Sequence, residues 1–197
     1  MIIGITGKIG SGKSIICEEF VKLGFIEDNF ASSLKQIGEI IGFENHQLYG
    51  TQEQKLEINN KWNISGREFM QKFGTEICRN ILPQVITNMK LDNNTLWVQI
   101  IKNKIENEYR GKNIIIGDCR FEDEAKMIID KGGIIIKIIR NNYIANELEQ
   151  NHTSEKNIDK IKSNITILNN GSLIDYKNKI KYVIENIDKI NIYEFKI

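Results

Sequence analysis

The chain has 197 residues, of which 41% are hydrophobic and 27% are charged, and its formal net charge is +1. This length and composition are typical of one globular domain, residues 1–197, and exclude a disordered or fibrous protein. A nearly neutral chain also lacks the concentrated basic surface that binding along a nucleic acid backbone requires, so we expect no nucleic acid partner.

The cysteines and the N-terminal segment indicate a reducing compartment. Cys17, Cys78 and Cys119 are odd in number and widely spaced, which favours neither a disulfide framework nor a zinc site. The first residues lack the basic start and apolar stretch of a secretory signal, and no apolar run approaches the roughly 18 residues that span a membrane. We therefore expect a soluble cytoplasmic protein with no membrane partner.

Four short isoleucine-rich segments predict strands buried on both faces of a sheet: residues 2–6, 114–117, 134–139 and 165–168. Apolar residues with helical spacing follow three of them, at residues 14–23, 121–130 and 172–187. Strand and helix therefore alternate. With right-handed crossovers this order predicts an α/β fold of three layers, a mostly parallel sheet with helices on both faces.

Two long intervals interrupt this alternation. Residues 30–110 contain no convincing strand, and their apolar spacing predicts helices at 32–41, 66–82 and 95–109. Residues 141–163 are polar and lack clear periodicity, which is typical of a mobile flap between two strands. We expect a helical insertion over about 30–110 and a lid over about 141–163.

A complete phosphate-binding loop pattern, G-x-x-x-x-G-K-[ST], occupies residues 7–14, directly after a predicted strand and before a predicted helix. Glycines let successive main-chain N–H groups point inward, and the helix N-terminus adds its positive dipole end. Lys13 then reaches the β- and γ-phosphates, and Ser14 offers its hydroxyl to Mg²⁺. The pattern predicts ATP and Mg²⁺, with ATP held by Gly10, Ser11, Gly12, Lys13, Ser14 and Ile15. The alternative is a glycine-rich turn without a ligand.

Asp118 follows the buried segment 114–117, where an acid can orient the ligand shell of Mg²⁺. We therefore predict Ser14 and Asp118 as the metal-binding pair. An aspartate at the end of a strand is also a common helix cap, which is the competing interpretation.

Other classes of phosphate-loop protein fit the sequence less well. A switch GTPase needs a guanine-reading Asn-Lys-x-Asp segment, and the sequence contains none. Large motor and helicase ATPases need a longer chain. The small-kinase plan remains, in which a helical insertion holds the acceptor and a flap closes over the phosphates to exclude water.

The chain resembles the deoxynucleoside monophosphate kinases of phages and large viruses almost from end to end. The resemblance rests on several short motifs in one order: residues 7–13, 30–35, 66–71, 74–76 with Arg79, 97–98, 118–121 with Glu124 and Ala125, Arg140, 152–155 and 169–171. It implies a deoxynucleoside monophosphate substrate, a homodimer, and nucleotide supply for viral DNA synthesis in the host cytoplasm or a virus factory. Gly10 and Ser14-Ile15 depart from the family's usual basic residue and Asp-Thr, which leaves the loop's part in acceptor binding open.

Three arginines are candidates for binding phosphate groups. Arg67 and Arg79 are twelve residues apart on one predicted helix, so both can face one cleft and grip the acceptor phosphate through paired N–H donors. Arg120 follows Asp118 by two residues and can contact the acceptor phosphate or the migrating phosphoryl group. The alternatives are solvated surface arginines and, for Arg120, an ion pair with Glu122 or Glu124.

The resemblance also implies roles in nucleotide binding for residues whose spacing in the sequence indicates no function. It assigns to the acceptor site Lys8, Phe30, Leu34, Lys35, Arg67, Gln71, Arg79, Trp97, Arg120 and Glu124. It places Arg140 against adenine, with Asn170 and Gly171 at the other edge of the base. Core packing explains Phe30 equally well and Trp97 better. His152 has no paired Cys or His nearby, so we interpret it as a hydrogen-bonding residue of the flap.

The leading hypothesis is transfer of the ATP γ-phosphoryl group to a deoxynucleoside monophosphate of the dGMP, dTMP or modified dCMP type. Lys13, Arg67, Asp118 and Arg120 are its predicted catalytic residues. Two alternatives stay open. One is another small kinase, of the dephospho-coenzyme A or phosphomevalonate type, and the other is a nucleotide-binding module without catalysis.

Overall fold

The computed structural model describes residues 1–91, 95–141, 157–187 and 195–197. It divides into two compact units, one formed by Met1–Asn29 with Glu106–Ile197 and the other by Phe30–Ile105. Within the described ranges no helix is long and apolar enough to cross a membrane. The helices are α1 Lys13–Lys22, α2 Ser32–Ile41, α3 Asn45–Tyr49, α4 Gly66–Gln71, α5 Leu82–Val85, α6 Leu96–Asn107, α7 Glu122–Asp130 and α8 Leu173–Asn186.

The first unit is built on a six-stranded sheet in the order β2-β5-β1-β6-β7-β8. Every pairing in it is parallel. The strands are β1 Ile2–Thr6, β2 Ile26–Asp28, β5 Ile114–Ile116, β6 Ile134–Ile139, β7 Ile165–Leu168 and β8 Phe195–Lys196. The four isoleucine-rich strands and the α/β class predicted from the sequence are confirmed, whereas β2 and β8 were not predicted because they are only three and two residues long.

Helices cover both faces of this sheet. Ile3 and Ile5 belong to a buried cluster with Phe20 of α1 and Tyr176 of α8. Gly4, between them, points to the opposite face, where a Cβ atom would lie 2.6 Å from Cδ1 of Ile128 in α7. Because side chains alternate along a strand, α1 and α8 cover one face and α7 covers the other. The three-layer arrangement is thus present.

The second unit is mainly helical but contains one small hairpin. β3 Ile58–Asn59 pairs antiparallel with β4 Ile64–Ser65. The expectation that residues 30–110 hold no strand is therefore wrong, since strands of two residues are too short to show alternation. Asn63, just before β4, has a φ of 54°, a left-handed conformation that asparagine tolerates. Ser65 then caps α4, its Oγ accepting from the Glu68 amide at 3.1 Å.

The helix predicted over residues 66–82 is not one regular α-helix. It continues from α4 into a π-helix, Lys72–Ile81, before α5. At the start of the π-helix Gly74 is packed closely, because a Cβ atom there would lie 2.5 Å from Cδ2 of Leu34. A π-helix winds more widely than an α-helix, so the α-helical spacing used to align Arg67 with Arg79 does not hold.

Candidate phosphate-binding site

The loop between β1 and α1 is curled by glycines with positive φ. Gly7, Gly10 and Gly12 have φ values of 154°, 75° and 103°, and the Ser11 amide donates to the Lys8 carbonyl at 3.1 Å. A Cβ atom on Gly7 would lie 2.6 Å from the carbonyl oxygen of Ile138 and 2.7 Å from Oγ of Ser11. The strand before the loop and the helix after it are those expected from the sequence, so its main-chain N–H groups can form an anion cradle.

Lys13 lies at the first position of α1 and folds over the start of the loop. Its Nζ donates to the carbonyl oxygens of Gly7 at 2.6 Å and Lys8 at 2.9 Å. The next residue, Ser14, is exposed on the first turn of the helix. The ammonium and the hydroxyl are therefore both at the N-terminal end of α1, where the helix dipole favours negative charge.

Three side chains hold the outer side of the loop by its carbonyl oxygens. Nδ2 of Asn169 donates to Ser11 at 2.8 Å, and the hydroxyl of Tyr176 donates to Gly12 at 2.9 Å. Nη1 of Arg140 donates to Gly10 at 3.3 Å. Sequence reasoning missed Tyr176, for which no local pattern gives a signal, and assigned no role to Asn169 although it begins the motif at 169–171.

Asp118 and Lys13 act electrostatically on one buried thiol. The pKa of Cys17 is raised to about 12, mainly by burial and also by the negative charges of Glu27 and Asp118, while the positive charge of Lys13 acts to lower it. Cys17 lies one turn after Lys13 in α1, so the carboxylate of Asp118 is near the first turns of that helix. Cys17 itself is an inert buried thiol.

Oxygen donors at the N-terminal end of α1 fit Mg²⁺. This ion takes a few hard oxygen ligands from a protein, and phosphates and water supply its other ligands. Ser14 and Asp118 supply such donors. In the described part of the chain no group of three or more His, Cys, Asp or Glu side chains could hold a metal ion. A magnesium ion bridging phosphates does not need such a group.

The segment after β5 is fixed by hydrogen bonds at both ends. The Cys119 amide donates to the Ile5 carbonyl at 3.1 Å, which joins it to the end of β1. Oε2 of Glu124, a side chain only 3% exposed, accepts from the amides of Arg120 at 2.7 Å and Phe121 at 3.1 Å. Asp118 and Arg120 therefore flank an anchored residue, and Glu124 caps α7.

The residues assigned to adenine lie after β6 and β7. Arg140 follows β6, while Asn170 and Gly171 follow β7. The Asn141 amide donates to Oδ1 of Asn170 at 2.9 Å, joining the two segments. Lys8, on the loop, forms an exposed ion pair with Asp159 at 2.9 Å. The predicted lid is described only at its two ends, and His152 lies outside the described residues.

In the second unit several residues assigned to the acceptor are buried. Phe30, Leu34 and Trp97 are each about 5% exposed or less, and Nε1 of Trp97 donates to the Gly74 carbonyl at 2.8 Å. For Phe30 and Trp97 this agrees with the core interpretation.

Two of the polar residues assigned to the acceptor, Lys35 and Arg67, have partners inside this unit. Nζ of Lys35 lies 4.8 Å from the ring centre of Tyr49, and Nη2 of Arg67 donates to Oε1 of Gln52. Gln71 and Arg79 are partly exposed, at the end of α4 and in the π-helix respectively.

Comparison with known proteins shows similarity to one enzyme family. The sequence model of the family described as deoxynucleotide monophosphate kinase matches residues 10–180. A protein of Acanthamoeba polyphaga mimivirus that is provisionally assigned as a deoxynucleotide monophosphate kinase is 32% identical over 97% of this chain and 100% of its own.

Two kinases are among the solved structures to which the chain shows some similarity. Dephospho-CoA kinase from Campylobacter jejuni covers 96% of this chain and 98% of its own, with 16% identity and a TM-score of 0.47. Shikimate kinase from Bacteroides thetaiotaomicron covers 100% and 85%, with 10% identity and a TM-score of 0.37.

The family match spans most of the sequence, including the segment after β5 and the motif after β7. The resemblance inferred from short motifs is thereby confirmed. The chain belongs to the deoxynucleotide monophosphate kinase family and is a phosphotransferase that acts on nucleotide monophosphates.

Proposed function

We propose that this protein transfers the γ-phosphoryl group of ATP to the 5′-phosphate of a deoxynucleoside monophosphate. The observation that carries the proposal is the loop from Gly7 to Ser14, curled by positive-φ glycines and running into α1 with the Lys13 ammonium folded over it. Such a loop suits a polyphosphate because its N–H groups and the helix end all favour negative charge.

The reaction places few demands on the protein beyond position and charge. An oxygen of the acceptor phosphate, already ionised, attacks the γ-phosphorus in line. The bond from that phosphorus to the oxygen bridging to the β-phosphate breaks, and ADP leaves with the bond's electron pair. Lys13 and Arg120 stabilise the negative charge spread over the transferring oxygens, so no base has to remove a proton.

We assign Mg²⁺ to Ser14 and Asp118. When bound, it would offset the negative charge of the nucleotide phosphates during transfer. The Ser14 hydroxyl and the Asp118 carboxylate supply hard oxygen ligands, and the capped start of α7 holds the segment that carries Asp118. This rigidity supports a fixed orientation of the carboxylate relative to the loop.

For the nucleotides we propose the residues that the family resemblance implies. Residues 30–110 would form the acceptor-binding insertion, with Arg67 and Arg79 binding the phosphate and Phe30, Leu34, Lys35, Gln71 and Trp97 forming the rest of the pocket. The resemblance also assigns Lys8, Arg120 and Glu124 to binding of the acceptor. Arg140, Asn170 and Gly171 would contact adenine, and residues 141–163 would close as a lid.

We also propose a homodimer and a role in deoxynucleotide supply. The mimivirus relative supports a virus-linked role, exercised in host cytoplasm or a virus factory. Sedimentation of the purified protein tests the dimer directly, since a sedimenting mass of one chain, 22.8 kDa, would reject it.

An acceptor screen tests the proposed reaction. ADP release would be measured with ATP and Mg²⁺ against dAMP, dCMP, dGMP, dTMP, 5-hydroxymethyl-dCMP and the four ribonucleotides. Dephospho-coenzyme A and phosphomevalonate would be included as acceptors of other small kinases. We expect at least one deoxynucleoside monophosphate to be turned over faster than every other acceptor. Turnover with none of the monophosphates would reject the proposal.

A further inference from the structure

Besides the Gly10 carbonyl, which Arg140 holds, two further carbonyl groups of the phosphate loop are held from outside by side chains of the C-terminal part of the chain. The Ser11 carbonyl accepts from Nδ2 of Asn169, which follows β7, and the Gly12 carbonyl accepts from the hydroxyl of Tyr176 in α8. The two donors are 158 and 164 residues away in sequence from the groups they hold. Both contacts lie within the unit that contains the sheet.

These carbonyls determine where the following amides point. In a trans peptide the C=O and the next N–H lie in one plane and point in opposite directions. The hydrogen bond from Asn169 therefore turns the Gly12 N–H away from the outer side of the loop. In the same way the bond from Tyr176 turns the Lys13 N–H toward the inner side, where phosphate oxygens would accept from it.

The surroundings of Tyr176 keep its hydroxyl in place. Its side chain is 1% exposed and belongs to the core cluster with Ile180 and Val183. The loop also packs directly on both donors. A Cβ atom on Gly12 would lie 2.7 Å from Nδ2 of Asn169 and 2.9 Å from Cε1 of Tyr176. A phenylalanine ring would fill the same space, so the hydroxyl adds one hydrogen bond to the loop.

We propose that Tyr176, together with Asn169, is a positioning residue for the nucleotide phosphates. It holds the Gly12–Lys13 peptide with its N–H facing the cradle, so the loop is preorganised before the triphosphate binds. The inference rests on the proposed function, in which this loop binds ATP. Through Tyr176, helix α8 would therefore contribute to the affinity for the nucleotide, although the helix lies behind the loop.

Tyr176→Phe removes the hydroxyl and keeps the ring. We expect the KM for ATP to rise about three- to tenfold, the effect of losing one hydrogen bond, while the KM for the deoxynucleoside monophosphate stays within about twofold. Titration calorimetry with ATP alone should show the same loss. Tyr182→Phe is the matched control, since Tyr182 lies on the same helix with 44% of its surface exposed, and both KM values should stay at wild-type levels.

If the hydroxyl only stabilises the fold, Tyr176→Phe would lower the free energy of unfolding, and the KM for ATP would change no more than the KM for the monophosphate. That result would overturn the inference. Should Tyr176→Phe not fold, Asn169→Ala decides in the same assay, because it removes the donor to Ser11. The wild-type protein distinguishes failure of the proposed function from failure of the positioning role. Wild type inactive on every monophosphate rejects the proposed function, whereas an active wild type with an unchanged KM for ATP in the variant rejects only the positioning role.

Discussion

The hydroxyl of Tyr109 donates a 3.0 Å hydrogen bond to Oδ2 of Asp28. Asp28 ends β2 and is buried, and its Oδ1 accepts from the Asn29 amide at 2.7 Å. The chain leaves the sheet unit after Asn29 and returns to it at Glu106. This bond therefore joins the two segments that flank the second unit in sequence.

Tyr109→Phe should change how stability depends on alkaline pH. Burial raises the pKa of Tyr109 to about 12, and the hydrogen bond and charge of Asp28 act in the same direction. Between about pH 10 and 12 the folded state keeps a proton that the unfolded state has lost. The contribution of Tyr109 to the free energy of unfolding is therefore complete below about pH 10 and disappears as pH rises through about 12. Urea unfolding across this range should give a less negative slope of unfolding free energy against pH in the variant.

Asp28→Asn serves as the second variant in that experiment. It removes the charge but keeps an acceptor oxygen, so its slope should lie between those of wild type and Tyr109→Phe. Equal slopes in all three proteins would show that Tyr109 titrates like a tyrosine in water.

Lys13→Ala should abolish most of the turnover and leave the protein folded. Because we assign its ammonium to the charge of the transferring phosphoryl group, kcat should fall by about a hundredfold or more. Lys22→Ala is the control on the same helix, because Lys22 lies in the last turn of α1 and pairs with Glu19 on the exposed surface. Its rate should match wild type. A Lys13→Ala variant with wild-type kcat would remove this residue from the reaction.

Asp118→Asn should weaken the binding of Mg²⁺. Replacing a carboxylate with an amide removes the charge that attracts the ion, so the Mg²⁺ concentration giving half the maximal rate should rise roughly tenfold or more. Asp130→Asn provides a comparison at the far end of α7, where Asp130 pairs with Lys126 at 2.6 Å. If both variants titrate with Mg²⁺ as wild type does, Asp118 does not hold the ion.

The sequence predicted the sheet and the turn between β1 and α1 well because both are encoded locally. Buried parallel strands need continuous runs of apolar residues, and isoleucine supplies them at residues 2–6, 114–116, 134–139 and 165–168. The loop is one contiguous motif. β2 was missed because its three residues, Ile-Glu-Asp, mix apolar and charged side chains. The π-helix was missed because apolar spacing of three and four residues does not separate it from an α-helix.

Contacts between distant residues were beyond prediction. Tyr176 and Gly12 are 164 residues apart, and Tyr109 and Asp28 are 81 apart. No local pattern marks a tyrosine whose hydroxyl finds a particular carbonyl or carboxylate in the folded chain. The roles given to Arg67, Arg79 and the other acceptor residues stay predictions, supported by the family to which the chain belongs.

Gly4→Ala should destabilise the sheet unit. The new Cβ atom would lie 2.6 Å from Cδ1 of Ile128 and 2.7 Å from Cδ1 of Ile135, so the core must move, at a cost of about 1–3 kcal/mol. Ile128→Val removes one of the opposing methyl groups. In the double variant part of the loss should be recovered, with a coupling of about 0.5 kcal/mol or more in denaturant unfolding. Ile129→Val, on the exposed side of α7, should show no coupling.

Asn59→Ala should destabilise the second unit. Nδ2 of Asn59 donates to Oε1 of Gln47 at 2.8 Å and to the Gly42 carbonyl at 3.2 Å, and its Oδ1 accepts from the Lys61 amide at 3.0 Å. Losing these buried bonds should cost about 1–3 kcal/mol.

Tryptophan fluorescence during urea unfolding would measure this loss, since both tryptophans of the chain, Trp62 and Trp97, lie in that unit. Asn80→Ala, at an exposed position, is the control and should unfold like wild type. An equal midpoint for all three proteins would contradict a structural role for Asn59.

The position of β1 in the sheet determines when this strand can pair during synthesis of the chain. Its neighbours are β5, paired through Ile2 with Ile114, and β6, paired through Ile3 with Ile134. More than a hundred residues must leave the ribosome before this first strand can gain a partner in the sheet, a delay of roughly 5 to 20 s at ordinary rates of translation. The residues of the second unit are complete by then. A newly made chain thus exposes an apolar segment during synthesis, and a chaperone that binds nascent chains would find its target at residues 2–6.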